Sequence, residues 1–488
     1  MKDFTIVDNY INGNLVKNNK DNKYLDLINP ANKKIIGKVI LSDKDDIEEI
    51  ISFAKKGFKV WSNYSTPKRV EVVLNFLELV RKSKQELAEI ITIENGKPIF
   101  ESLGEVQRGI ESIQHAVTTM NLAMGDSLGN IATGVEATSY NYPIGIVAGI
   151  CPFNFPMMVP CWMFPLAIAL GNCFVLKPSE KTPQLSLELA RLFTKAGLPE
   201  GVLSILNGGK EAVDAIIENK NIKGISFVGS KRVGQYIYQK GSENFKRVQA
   251  LTGAKNHSII LKDANIDHAV DQILKSAFGS AGQRCMACSV VVIENQVADE
   301  FCQKLVTKAK MLKIGDGLVK DTTLGPIISE QSLNNILKYI EEGIAQKAKL
   351  ILDGREVMDD SGYFIGATIF DEVTSEMSIW KEEIFGPLLS IVRVDNLQEA
   401  IAITNESDFG NGACLFTNNA ASIRTFRENI DAGMLGINLG VPAPIASFPF
   451  SGWKDSFFGT SHTNGKDGVA FYTRRKVVTA LLNIGKAK

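Results

Sequence analysis

Residues 145–177 read GIVAGICPFNFPMMVPCWMFPLAIALGNCFVLK. A short β-branched run at 145–151 passes through a Pro-Phe-Asn loop into a long apolar run at 157–170. After Gly171 and Asn172 a second short run follows at 173–177. Length and Gly/Pro punctuation make this strand, helix, strand. The alternation continues with helices at 183–196 and 211–218 and strands at 202–206 and 225–228. Short buried strands alternating with helices predict a parallel sheet covered on both faces, with ligands at the strands' carboxyl ends. The apolar stretch 157–176 is about as long as a membrane span. Pro160, Pro165, Gly171 and Asn172 interrupt it, so it reads as a buried helix turning into a buried strand.

Two strand exits carry polar groups. One runs into Lys177, Pro178, Ser179 and Glu180; the other runs into Gly229 and Ser230 ahead of a helix containing Gly234. A Gly-Ser pair at a helix start can hold a pyrophosphate on free backbone amides, or be an ordinary capped turn. No GxGxxG fingerprint occurs. Lys177 and Glu180 are either ribose contacts or solvated loop charges.

Upstream, the first forty residues alternate short β-like runs with turns such as Asn12-Gly13. Helices follow. Ser42 with Asp45 resembles an N-cap ahead of Ile47, Ile50, Ile51, Ala54 and Phe58; Thr66-Pro67 opens another helix, and Asn95-Gly96 with Pro98 closes a third. A helix over about residues 101–120 carries Arg108. Downstream, a second α/β alternation is predicted over 289–441, with helices at 298–311 and 330–345. Within it Trp380 to Pro387, read alone, is a surface turn. The tail 468–478 reads as a projecting strand in need of a partner edge.

Between the two alternations lies GQRCMAC, residues 282–288. Gly279, Ala281 and Gly282 permit a sharp bend that exposes the Cys285 thiol to a cleft. A thiolate attacks carbonyl carbon, and adjacent Arg284 is expected to favour ionisation. The competing reading makes both cysteines core residues. Cys285 and Cys288 also spell CxxC, a redox pair or half a zinc site, but no second CxxC exists and His115, His257, His268 and His462 are scattered, so no metal is expected.

With 54 Lys plus Arg against 54 Asp plus Glu in 488 residues, no net field favours nucleic acid or an anionic membrane. Seven thinly spread cysteines fit reduced thiols, and the N-terminal residues lack an apolar signal core, so the cytoplasm is the expected location.

The blocks CPFNFP (151–156), LKPSEKTP (176–183), FVGS (227–230), GQRC (282–285) and EEIFGP (382–387), in this order and spacing, resemble the aldehyde dehydrogenase superfamily over essentially the whole chain. GQRCMA, GAKNH (253–257) and FPFSGWKDSFFG (448–459) are most similar to its coenzyme A acylating branch, which acts on methylmalonate semialdehyde. The resemblance implies an α/β fold of two lobes with parallel sheets plus a small β oligomerisation element. It divides the chain into an NAD-binding domain (1–122 and 144–254), a catalytic domain (255–460) and oligomerisation strands (123–143 and 461–488), assembled as a homotetramer.

It also implies roles. Cys285 is the expected nucleophile, and Asn154 with the Cys285 amide the oxyanion hole. Lys177, Glu180 and Glu383 match positions that hold ribose hydroxyls, Phe385 lies along the nicotinamide ribose, and Cys151, Phe153, Lys181, Ser230 and Thr252 line the same groove. Glu180 favours NAD over NADP, since a carboxylate repels a 2′-phosphate. Arg108 and Arg284 match the pair that grips the substrate carboxylate, each with a structural ion-pair role as the alternative. Where hydrolytic members carry a water-activating Glu, Leu251 stands here, so coenzyme A rather than water is the expected acyl acceptor. The expected reaction is NAD-dependent, acylating oxidation of methylmalonate or malonate semialdehyde, with decarboxylation to propanoyl-CoA or acetyl-CoA. The rival readings are a hydrolytic semialdehyde dehydrogenase and a catalytically silent structural relative.

Overall fold

The computed structural model describes residues 5–16 and 23–481. The quoted stretch folds as strand Ile146–Ile150, helix Met158–Ala169 and strand Cys173–Lys177. That helix is apolar on every side because it is packed on every side: all residues from Val159 to Ala169 are buried. Among the described residues no helix is long and apolar enough to cross a membrane.

These strands form the centre of an eight-stranded sheet, ordered 457–459, 247–251, 222–228, 146–150, 173–177, 203–205, 9–11, 14–16. The five central strands are parallel, and antiparallel strands close both edges. From Ile146–Ile150 the chain winds one way to Leu203–Ile205, then crosses to Ile222–Val228 on the other side. The order therefore reverses between Ile146–Ile150 and Ile222–Val228, and a crevice opens at their carboxyl ends.

A second sheet is ordered 349–352, 368–371, 388–394, 288–294, 256–260, 412–416, 434–437, parallel except at the Lys349–Leu352 edge. Each sheet has its own apolar core, one centred on residues such as Phe164, Phe174 and Phe193, the other on Phe301, Phe370 and Phe416. A third, antiparallel sheet joins Ser127–Ala132, Val135–Pro143 and Thr473–Leu481 and is largely exposed.

Four local expectations change. The helix Lys44–Trp61 is capped by Asp43, whose carboxylate takes the Asp45 and Asp46 N–H groups, while the Ser42 hydroxyl is drawn into the core by Asn9. Residues 468–472 are helical, part of Gly465–Tyr472, because Val469, Phe471 and Tyr472 bury against the first core; the strand begins at Thr473. Phe457–Gly459, grouped with the second lobe by sequence, pairs with Arg247–Leu251 as an edge of the first sheet. The segment from Trp380 is not superficial: Trp380 and Ile384 are buried. The expected strand end beyond residue 481 lies outside the described residues.

Candidate active site

The carboxyl ends of the first sheet face the amino ends of the second across a cleft of about 690 Å³. From the first sheet come Phe153 and Asn154 after Ile146–Ile150, Ser230 after Ile222–Val228, and Thr252 after Arg247–Leu251. From the second come Cys285, ahead of Cys288–Glu294, and Glu383 and Phe385, ahead of Leu388–Val394.

Cys285 is aimed by a turn in unusual backbone. Ser280, Ala281 and Gly282 have φ of 49°, 52° and 69°, three successive left-handed residues. Gly282 has no substitute: a Cβ there would lie 2.1 Å from the Gly386 oxygen. Glu101, from the helix Ile99–Val117, accepts from the Ser280 N–H at 2.9 Å and from its hydroxyl at 2.9 Å, which offsets the strain. Gln283 is locked by the Ile328 N–H donating to its Oε1 at 3.0 Å. The Cys285 carbonyl accepts from Asn256 Nδ2 at 2.8 Å and Asn411 Nδ2 at 3.0 Å.

Burial, and next the Glu383 carboxylate, push Cys285 up to about 12; the Cys285 N–H, Arg284 and the Met286 N–H act the other way and are outweighed. The expectation that Arg284 favours ionisation is right in direction and insufficient in size. Glu383 is pushed up to about 7 by burial, against the Ala254 N–H that donates to its Oε1 at 2.9 Å. Lys255 lies beneath it, pushed down to about 7 by burial, and donates to the Ile379 and Glu382 carbonyls at 2.8 and 2.7 Å. Those bonds hold the turn whose Phe385, at φ 58°, faces the Phe153 ring 5.9 Å away.

Asn154 Nδ2 donates to the Gln283 carbonyl at 3.0 Å, tying the oxyanion candidate to the nucleophile loop across the two sheets. Its own carbonyl takes Lys97 Nζ at 2.6 Å, and Lys97 is paired with Glu105, also at 2.6 Å. Neither charge was legible as part of the site, since a Lys after Asn-Gly and a Glu on a helix ordinarily read as surface groups.

Lys177 and Glu180 pair at 3.2 Å. Burial works to raise the Glu180 carboxyl, but Lys177 outweighs it and holds it below its ordinary value. Lys181 donates to Ser329 at 3.2 Å and stands 5.6 Å from the Phe153 ring. The helix Lys231–Glu243 starts at Ser230 with no side-chain cap hydrogen bond, and Gly234 lets it pack tightly, since a Cβ there would lie 2.2 Å from Thr252. An uncapped helix start beside the crevice suits a phosphate.

Six predicted residues do not line the cleft: Lys177, Glu180 and Lys181, just described, and Cys151, Arg108 and Arg284. The buried Cys151 thiol packs against Met163 Sδ at 3.8 Å, drawn into the first core. Arg108 pairs with Glu111 at 2.8 Å and donates to the Pro444 carbonyl at 2.8 Å. Arg284 turns away from Cys285 and donates to the Lys275 and Ser276 carbonyls at the end of the helix Ile266–Phe278, where the helix dipole favours a cation. Cys288 is buried, with its Sγ toward the Val290 carbonyl at 3.4 Å. Among the described residues no group of three or more potential metal ligands converges.

A thiol and an amide donor thus share one cleft between the two sheets, and the chain belongs to the aldehyde dehydrogenase family, whose model matches residues 16–478. Malonate-semialdehyde dehydrogenase of Bacillus subtilis (strain 168) is 59% identical over 472 residues, covering 97% of each chain. That of Listeria innocua is 55% identical over 480 residues, covering 98% of each. Methylmalonate-semialdehyde dehydrogenase from Oceanimonas doudoroffii superposes with TM-score 0.96 at 43% identity, covering 98% of each chain. A Sinorhizobium meliloti 1021 structure complexed with NAD superposes with TM-score 0.97 at 37% identity, covering 99% of each.

Proposed function

We propose that the protein oxidises malonate or methylmalonate semialdehyde with NAD and transfers the decarboxylated acyl group to coenzyme A. The observation that carries this reading is the composition of the cleft: Cys285 and Asn154 share it with Glu383 as its one carboxylate among the described lining residues. Leu251, at the position of the hydrolytic base, is packed into the first core and supplies no proton acceptor. The names of the relatives support the semialdehyde.

Bound NAD supplies the hydride acceptor. Lys177, Glu180 and Glu383 would hold its ribose hydroxyls, Ser230 and the helix start behind it the pyrophosphate, and Phe153, Phe385, Lys181 and Thr252 the walls. Once the Cys285 thiol has given its proton to water, its thiolate adds to the aldehyde carbon, and the resulting oxyanion is met by the Asn154 amide and the Cys285 N–H. Collapse of that oxyanion with loss of hydride leaves a thioester on Cys285. The carboxylate β to its carbonyl departs as carbon dioxide, the electron pair passing into an enolate that then takes a proton. Coenzyme A thiolate attacks the thioester carbon and releases the Cys285 thiolate. Arg284 or Arg108 reaches the substrate carboxylate only by leaving its present partner. The exposed sheet of residues 127–132, 135–143 and 473–481 is the proposed contact between subunits of a tetramer.

The test is NADH formation from either semialdehyde and NAD, with and without coenzyme A. One enzyme equivalent until coenzyme A is added is expected; steady turnover to free acid without it overturns the acylating reading.

A further inference from the structure

We propose that Asn256 and Asn411 are positioning residues for the nucleophile: they orient the Cys285–Met286 peptide so that the Met286 N–H points at the Cys285 sulfur and stabilises its thiolate. This rests on the reading of Cys285 as the nucleophile.

The Cys285 carbonyl oxygen accepts two side-chain amides, Asn256 Nδ2 at 2.8 Å and Asn411 Nδ2 at 3.0 Å. They come from neighbouring strands: Asn256 begins Asn256–Ile260, and Asn411 immediately precedes Gly412–Phe416. Both are buried, at 6% and 4% exposure. The Cys285–Met286 peptide is trans, as are all peptide bonds among the described residues, so the Met286 N–H points opposite to the gripped oxygen. The Cys285 and Met286 N–H groups both act in favour of the charged form of the thiol. A carbonyl that accepts two bonds also polarises its peptide and strengthens the N–H as a donor.

The arrangement is fixed on all sides. Asn256 Nδ2 donates also to the Ala287 carbonyl at 2.8 Å, and Asn411 Nδ2 to Met286 Sδ at 2.9 Å. Asn256 Oδ1 meanwhile is buried with no partner, an arrangement that puts the amide's donors ahead of its acceptor. The charged groups acting on the thiol are Glu383, which opposes ionisation, and Arg284, which favours it but is committed to the end of a helix.

The experiment is the pH dependence of Cys285 alkylation by iodoacetamide, read by mass spectrometry of the peptide, in wild type, Asn411→Ala, Asn256→Ser and the double variant. Each single variant should make alkylation about tenfold slower at every pH from about 7 to 10, below the midpoint, and the double variant should be slower still. An unchanged rate across that range overturns the proposal. Asn411→Ala decides the matter if Asn256→Ser fails to fold. NADH production by Cys285→Ser would instead sink the nucleophile reading, an outcome separate from any shift in alkylation.

Discussion

Lys97 Nζ lies 2.6 Å from Glu105 Oε2, an ion pair whose side chains are 2% and 1% exposed, beside Asn154, the proposed oxyanion donor. Lys97 also holds the Asn154 carbonyl and stands 4.4 Å from the Phe155 ring, while Glu105 Oε1 accepts the Met157 and Met158 N–H groups at the start of the helix Met158–Ala169. The pair clamps both ends of the 153–158 loop.

Removing one partner strands a buried charge. Lys97→Met should cost about 3–5 kcal/mol in denaturant unfolding. Adding Glu105→Gln should recover part of that loss. A wild-type midpoint for Lys97→Met would show that the clamp contributes nothing to stability.

Asn154→Ala removes the amide and leaves the clamped carbonyl in place. The single-turnover rate of NADH formation should fall about 10²- to 10³-fold. Loss of the bond to Gln283 should cost only about 1 kcal/mol of stability. A rate within a few-fold of wild type would remove Asn154 from the oxyanion hole.

His257 gives a pH signature. Burial pushes it down to about 3, from an ordinary 6.5. Between those values the unfolded chain binds a proton that the folded one refuses, so the stability from this group is complete above about pH 6.5 and is lost as pH falls toward 3. His257→Gln should therefore lose about 2 kcal/mol less than wild type between about pH 7 and 5. Parallel pH profiles for the two proteins would contradict the buried neutral imidazole.

Arg284 has two jobs in competition. As the cap of the helix Ile266–Phe278 its loss should cost about 1 kcal/mol. As the proposed carboxylate grip, its replacement by Ala should lower kcat/KM for malonate semialdehyde at least about tenfold more than for propanal. Equal losses on both substrates would leave only the cap.

The strands and helices at 145–228 were legible because periodicity and Gly/Pro punctuation are properties of neighbouring residues. The Trp380 to Pro387 turn was not, because its inward course depends on the bonds from Lys255 to the Ile379 and Glu382 carbonyls. Cys285 stood out through its local Gly-rich setting. Asn256 and Asn411 did not, since nothing local tells a buried asparagine from a turn residue.

By itself the sequence determined the alternation of elements and a thiol at a bend, with the blocks around it identifying the family, because these depend on residue type and spacing along the chain. The tertiary structure decided which charges are buried, where the arginines point and which groups surround the thiol. Those depend on solvent exclusion and on contacts such as Asn154 to Gln283, formed across 129 residues of chain and closed only when the two sheets meet.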